Sequence, residues 1–207
     1  MAEYVVLLHG IFRTARSMRQ LERYLTRHGY AVLNFTYPST RHTLAELAAK
    51  LHERLTPYAG AKLHFVGHSM GGLLIREYLN AYPPAHPGRV VMLGTPNHGS
   101  EIADAIGDWW LFNALYGPAG QQLRTSEAQR PAPLRAEVGI IAGDLSLDPL
   151  FGWHLPRPHD GKVSVDSTKL KEMRDHLQLR VAHSLMPYDG QVARQVLYFL
   201  NEGQFAR

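Results

Sequence analysis

The amino-acid sequence predicts a doubly wound α/β architecture, a mostly parallel sheet of about six strands with helices on both faces. Three features point to it. Short runs rich in Val, Leu, Ile and Phe recur along the chain, segments with helical start and stop residues lie between them, and one strand-to-helix junction reads VGHSMGG, residues 66–72.

YVVLLH (4–9), AVLNFTY (31–37), KLHFVG (62–67), RVVMLG (89–94), VGIIAG (138–143) and LQLRVA (177–182) are bounded mostly by Gly, Pro or charge and read as buried parallel strands. After the first run, Met18, Leu21 and Leu25 fall on one helical face and Arg16, Arg19 and Arg23 on the other. Ser17 with Gln20, and Thr43 with Glu46, have capping-box spacing, and Gly29 and Gly60 stand at the expected helix stops. Leu44, Leu47, Ala48, Leu51 and Leu55 mark the apolar stripe of the second helix. Residues 100–136 break the alternation. This insertion holds Trp109, Trp110, Phe112 and Tyr116 and is expected to cover a pocket as a lid or cap.

A chain of 207 residues suits one domain, here 1–207, large enough to bury a core without disulfides or metal. Apolar residues at 45% and charged residues at 19% are globular values and argue against disorder. The absence of cysteine removes thiol nucleophiles and disulfides from consideration. The start, MAEYVVLLHG, lacks the basic n-region and cleavage site of a signal peptide, so a cytoplasmic location is expected. The net charge is +4, and the basic residues are dispersed except on the Arg16, Arg19, Arg23 face. That layout predicts a solvated face with weak attraction to membrane surfaces and no nucleic-acid partner. No dinucleotide fingerprint or Walker loop stands in its proper context, so no cofactor is expected.

Gly67, Ser69 and Gly71 spell G-x-S-x-G where a buried strand hands over to a helix. A turn that sharp strains the serine backbone and crowds its neighbours, which accounts for Gly67, Gly71 and Gly72. A serine hydroxyl is a poor nucleophile without a base to take its proton and a third group to orient that base. Both partners are expected beyond the carboxyl ends of strands. His183 follows the last strand, whereas His176 precedes it, and the other histidines fall in strands, helices or turns. For the acid, Asp144, Asp160 and Asp166 all satisfy the order Ser, Asp, His. The developing oxyanion needs main-chain donors: the N–H of Met70, after the nucleophile, and that of Ile11, in the loop LLHGIFR. His9 is expected to order that loop, and His68 to brace the turn or line the pocket.

HG after the first strand, GHSMGG, LGTPNHGS, HDGKV and a histidine after the last strand together resemble the α/β-hydrolase superfamily, in particular small bacterial lipases and esterases. The likeness spans roughly 4–203. It implies a minimal α/β-hydrolase fold and, because such lipases carry the acid in an Asp-Gly-x-Val pattern, it implies Asp160 as the acid. His159 stands where asparagine is common before that acid, and no calcium-binding aspartate follows His183, so no metal is expected.

The expected chemistry is cleavage of a small-molecule or lipid ester by Ser69, Asp160 and His183, with Trp109, Trp110 and Phe112 shaping an apolar acyl pocket. The same triad would serve an acyltransferase or a thioesterase, and a binding or scaffold protein could retain the fold without activity. Oligomeric state is not encoded in a readable way.

Overall fold

In a computed structural model the described residues are 1–98, 134–147 and 155–207. Trp109, Trp110, Phe112 and the expected cover over 100–136, apart from its last three residues, lie outside them.

Among the described residues six parallel strands form one sheet: β1 (Glu3–Leu8), β2 (Ala31–Phe35), β3 (Lys62–His68), β4 (Pro87–Leu93), β5 (Val138–Gly143) and β6 (Asp175–Leu179), in the order β2-β1-β3-β4-β5-β6. Helix α1 (Arg19–Arg27) connects β1 to β2, α2 (Leu44–Leu55) returns the chain across β1 to β3, and α3 (Met70–Ala81) leads from β3 to β4. A short helix, α4 (Val165–Thr168), precedes β6, and α5 (Gly190–Glu202) closes the chain.

The strand period of two divides the apolar side chains between two layers. Val6, Leu8, Phe65, Val90 and Met92 face α2 and α3, packing with Leu47, Leu51, Leu74 and Ile75. Val5, Leu7, Val66, Val91 and Leu93 face α1 and α5, packing with Leu21, Leu25, Val196 and Phe199. Because both faces are covered, the central strands read as unbroken apolar runs rather than as alternating ones. Phe199 is wholly buried, and a Cβ on Gly139 would stand 2.6 Å from its ring, so β5 admits α5 only where it lacks a side chain.

The strand order reverses at β1 and β3. The connection leaving β1 goes to the α1 face and that leaving β3 to the α3 face, so the two loops part and leave a crevice at the carboxyl edge. Such switch points are where open α/β sheets bind ligands.

Three sequence expectations need correction. Thr43 and Glu46 form the reciprocal capping box at the start of α2, but Ser17 and Gln20 do not form one. Ser17 is buried in a 3-10 turn (Ala15–Met18) and donates its hydroxyl to the Thr14 carbonyl, while the Gln20 amide donates to the Tyr188 carbonyl. The last strand runs from Asp175 to Leu179, so His176 lies within it and His183 stands beyond a three-residue link, opening a 3-10 turn (His183–Tyr188). The first strand ends at Leu8, which places His9 in the loop.

Candidate active site

The turn between β3 and α3 holds Ser69 at φ 54° and ψ −124°, a region L-residues seldom occupy. Its glycines are required by close approach. A Cβ on Gly67 would meet the Gly72 nitrogen at 2.5 Å, one on Gly71 the Leu8 carbonyl oxygen at 2.3 Å, and one on Gly72 the Thr95 hydroxyl at 2.0 Å. Two main-chain anchors hold the serine: its N–H donates to the Leu93 carbonyl at 2.8 Å, and its carbonyl accepts from Thr95 Oγ1 at 3.1 Å. The strained backbone is thus fixed from β4 and from the loop after it.

The loop after β1 lies against this turn, where a Cβ on Gly10 would be 3.2 Å from the Ser69 Cβ. His9 fixes the loop. Its Nδ1–H donates to the Gly10 carbonyl at 2.8 Å, its Nε2 accepts from the Tyr37 N–H at 3.3 Å, and its ring stacks on that of Tyr37 with centroids 4.1 Å apart. The Tyr37 hydroxyl in turn donates to the His9 carbonyl. Burial disfavours a charge on His9, consistent with a neutral ring serving as one donor and one acceptor. Arg13 N–H donates to the Gly10 carbonyl at 3.2 Å, closing a turn whose central residues are Ile11 and Phe12, the latter at φ 58°. Among the described residues neither the Ile11 N–H nor the Met70 N–H has a main-chain acceptor. Met70 is the first residue of α3, where the helix dipole is positive.

Asp160 and His183 are both buried, and Asp160 Oδ2 stands 2.8 Å from His183 Nδ1. The other carboxylate oxygen accepts from the N–H groups of Lys162 at 2.9 Å and Val163 at 2.8 Å. The His183 N–H donates to the Asp160 carbonyl at 3.0 Å, which ties the two loops at the main chain as well. The alternative acids are elsewhere engaged: Asp144 Oδ2 accepts from Gln178 Nε2 at 2.7 Å, and exposed Asp166 pairs with Lys169.

Two contacts carry His183 to the serine turn. Gly94, at φ 54°, follows the strand residue that holds Ser69, and a Cβ on it would lie 3.0 Å from Asp160 Oδ2 and 3.1 Å from His183 Nδ1. His68, the residue before Ser69, donates Nε2–H to the His183 carbonyl at 3.0 Å, and the two rings have centroids 4.9 Å apart. Burial, then the neighbouring His183, hold the His68 pKa well below the usual histidine value. Among the described residues no hydrogen bond joins Ser69 Oγ to the His183 ring, and no group of three acidic or histidine side chains is arranged to hold a metal. Catalytic hydrogen bonds are often long in ligand-free sites, so the first observation is compatible with chemistry there.

The sequence pattern of the alpha/beta hydrolase family matches residues 5–199. The chain belongs to the alpha/beta hydrolase family. This α/β hydrolase is 38% identical over 63 residues to a triacylglycerol lipase of Pseudarthrobacter phenanthrenivorans and to one of Burkholderia plantarii. The match covers 30% of the chain and 19% and 17% of those lipases, so it spans less than a fifth of either relative. The mature lipase BlEst2 of Bacillus licheniformis shares the fold, with a TM-score of 0.78 at 21% identity over 97% of this chain and 91% of that one.

Some supports of the α/β hydrolase site were not read from the sequence. Thr95 clamps the Ser69 carbonyl and fills the space above Gly72. Buried Arg76 donates to the Asn97 carbonyl at 3.1 Å and to its side-chain oxygen at 2.9 Å, and Asn97 donates to the Thr168 carbonyl at 2.7 Å, pinning the loop after β4 between α3 and α4. Burial lowers the Arg76 pKa to about 10, which leaves it charged at neutral pH. The signal was the LGTPN stretch, whose polar residues follow a strand and must find partners once buried.

Proposed function

We propose that this α/β hydrolase is a serine hydrolase that cleaves carboxylic esters through an acyl-enzyme. The observation that carries the reading is the buried Asp160 to His183 hydrogen bond at 2.8 Å, held beside a serine turn of positive φ. Asp160, its second oxygen occupied by two main-chain donors, fixes the Nδ1–H tautomer of His183 and leaves Nε2 as the base. Ser69 Oγ attacks the acyl carbonyl carbon as Nε2 takes its proton. The oxyanion is received by the N–H groups of Ile11 and Met70. The protonated imidazole gives its proton to the departing alkoxide, and water, deprotonated by the same nitrogen, then cleaves the acyl-enzyme and restores Ser69. Local identity to two triacylglycerol lipases supports an ester or lipid substrate.

The test is an ester series of increasing acyl length, with a fluorophosphonate probe as active-site titrant. Wild-type protein is expected to hydrolyse esters and to take up one probe per chain at Ser69. Ser69→Ala is expected to lose both, with turnover down by several orders of magnitude and the fold intact. Undiminished hydrolysis by Ser69→Ala, or folded wild type that neither labels nor turns over, refutes the proposal.

A further inference from the structure

Residues 13–27 contain five arginines, Arg13, Arg16, Arg19, Arg23 and Arg27, against the single acid Glu22. Their net charge of +4 equals that of the whole chain, so every other basic residue is balanced by an acidic one. All five arginines are exposed, and among the described residues none makes an ion pair. The packing of α1 explains the layout: Leu21 and Leu25 point to the sheet and α5, which leaves Arg19, Arg23 and Arg27 outward, with Arg16 in the preceding 3-10 turn and Arg13 in the loop before that.

This face ends at the mouth of the candidate site. The basic segment directly follows the Gly10–Ile11 loop, and Arg13 is near enough to His68 to disfavour its protonation. Beside it three apolar side chains face solvent: Phe12 at 53% exposed, Leu185 at 48% and Tyr188 at 40%. Gln20 on α1 donates to the Tyr188 carbonyl at 2.5 Å, so the turn carrying Leu185 and Tyr188 is fastened to the arginine helix. Between Thr14, Arg16, Arg19, Asn34 and Thr36 lies an open depression of about 440 Å³. The Glu22 carboxylate on its wall is occupied by Asn34 Nδ2 at 2.7 Å.

We propose that the outer face of α1 is a docking surface for anionic phospholipid, which sets the mouth of the site, with Phe12 and Leu185 at its rim, against the membrane surface. Charge complementarity and the adjoining apolar side chains together carry this assignment. Headgroup phosphates meet the arginines, while the apolar groups enter the interfacial layer. A nucleic acid would use the charges but would leave Leu185 unused. The docking goes beyond the ester-hydrolase reading and does not require it.

Co-sedimentation with vesicles tests the proposal. The full chain is expected to pellet with phosphatidylcholine vesicles that include phosphatidylglycerol, to stay in solution with phosphatidylcholine alone, and to be released by salt. Each arginine near such a surface strengthens binding roughly fivefold, so Arg19→Gln/Arg23→Gln should weaken partitioning at least about tenfold. Arg16→Gln/Arg27→Gln provides an independent second pair, and Lys50→Gln/Lys171→Gln, with the same charge change elsewhere, should bind as wild type. Equal binding to neutral vesicles, no binding to anionic ones, unaltered binding by both arginine pairs, or complete displacement by an oligonucleotide at equal phosphate concentration overturns it. Ser69→Ala protein is expected to bind like wild type, so this result stands or falls apart from ester hydrolysis.

Discussion

The His68 ring donates its Nε2–H to the His183 carbonyl at 3.0 Å, so the residue preceding the proposed nucleophile holds the main chain of the proposed base. A carbonyl can only accept, which places the proton of the neutral ring on Nε2. His68 Nδ1 is then a bare acceptor, and it is buried with no hydrogen-bond partner among the described residues.

His68→Leu removes one donor from a buried carbonyl, which should cost about 0.5–1.5 kcal/mol of stability. Ester kcat per folded molecule should fall roughly tenfold with KM little changed, because the ring positions His183 and does not touch substrate. His68→Gln, which retains an N–H donor, should recover part of the loss. An unchanged kcat for folded His68→Leu would make the residue purely structural.

Asp160→Asn should lower ester turnover on the order of 10⁴-fold, the magnitude seen when a triad carboxylate of a serine protease becomes an amide. Asp144→Asn should leave the rate within a few-fold, because that carboxylate is taken by Gln178. Initial rates on one soluble ester separate the two, and the reverse ranking would reassign the acid.

Gly71→Ala drives a methyl group to 2.3 Å from the Leu8 carbonyl oxygen, an obstacle made of backbone. It should destabilise the fold by about 3 kcal/mol, the upper end of overpacking costs, and lower the unfolding midpoint in urea. Gly60→Ala meets nothing within 4 Å and has no positive φ, so it should be neutral or stabilise by up to about 1 kcal/mol. Equal midpoints for the two variants would contradict the crowding at the serine turn.

Acidification should weaken the fold well before the carboxylates titrate. Burial lowers the pKa of His68, His9, His64 and His176 from the ordinary 6.5, so in the native state these rings resist protons that the unfolded chain accepts. For His64 burial outweighs the neighbouring Glu3 carboxylate, which by itself would favour the charged ring, and Nδ1 accepts the Arg89 N–H at 2.9 Å, a bond that a protonated ring could not make. Stability is therefore complete above pH 6.5 and falls as the pH drops below it. Urea midpoints at pH 7.5 and 5.5 check the sign. A midpoint that rises on acidification, or does not move, would mean that the rings are charged in the fold.

Much of this was legible in local pattern. The β3 and β5 runs sit within one residue of their expected ends because a strand buried on both faces shows itself as an apolar run closed by glycine. Thr43 and Glu46 formed their box because both partners lie at an exposed helix start, where the neighbouring His42 approaches Glu46 at 3.6 Å without displacing either bond. Ser17 and Gln20 have the same spacing and failed, since Ser17 is buried against Thr14 and Gln20 is captured by Tyr188, 168 residues away in sequence. That competitor is invisible to a local rule.

By itself, then, the sequence determined the strand and helix periods, the wound sheet, and a serine whose glycine neighbours admit only a tight turn. Those properties depend on residues a few positions apart. Which aspartate faces His183, how His68 and Thr95 brace the turn, and where the arginine face lies relative to the mouth depend on β1, β3, β4 and the loops around Asp160 and His183 meeting at one sheet edge. Side-chain chemistry narrows such choices, but only burial and distance decide them, because each aspartate is an ordinary polar residue until the fold places a partner beside it.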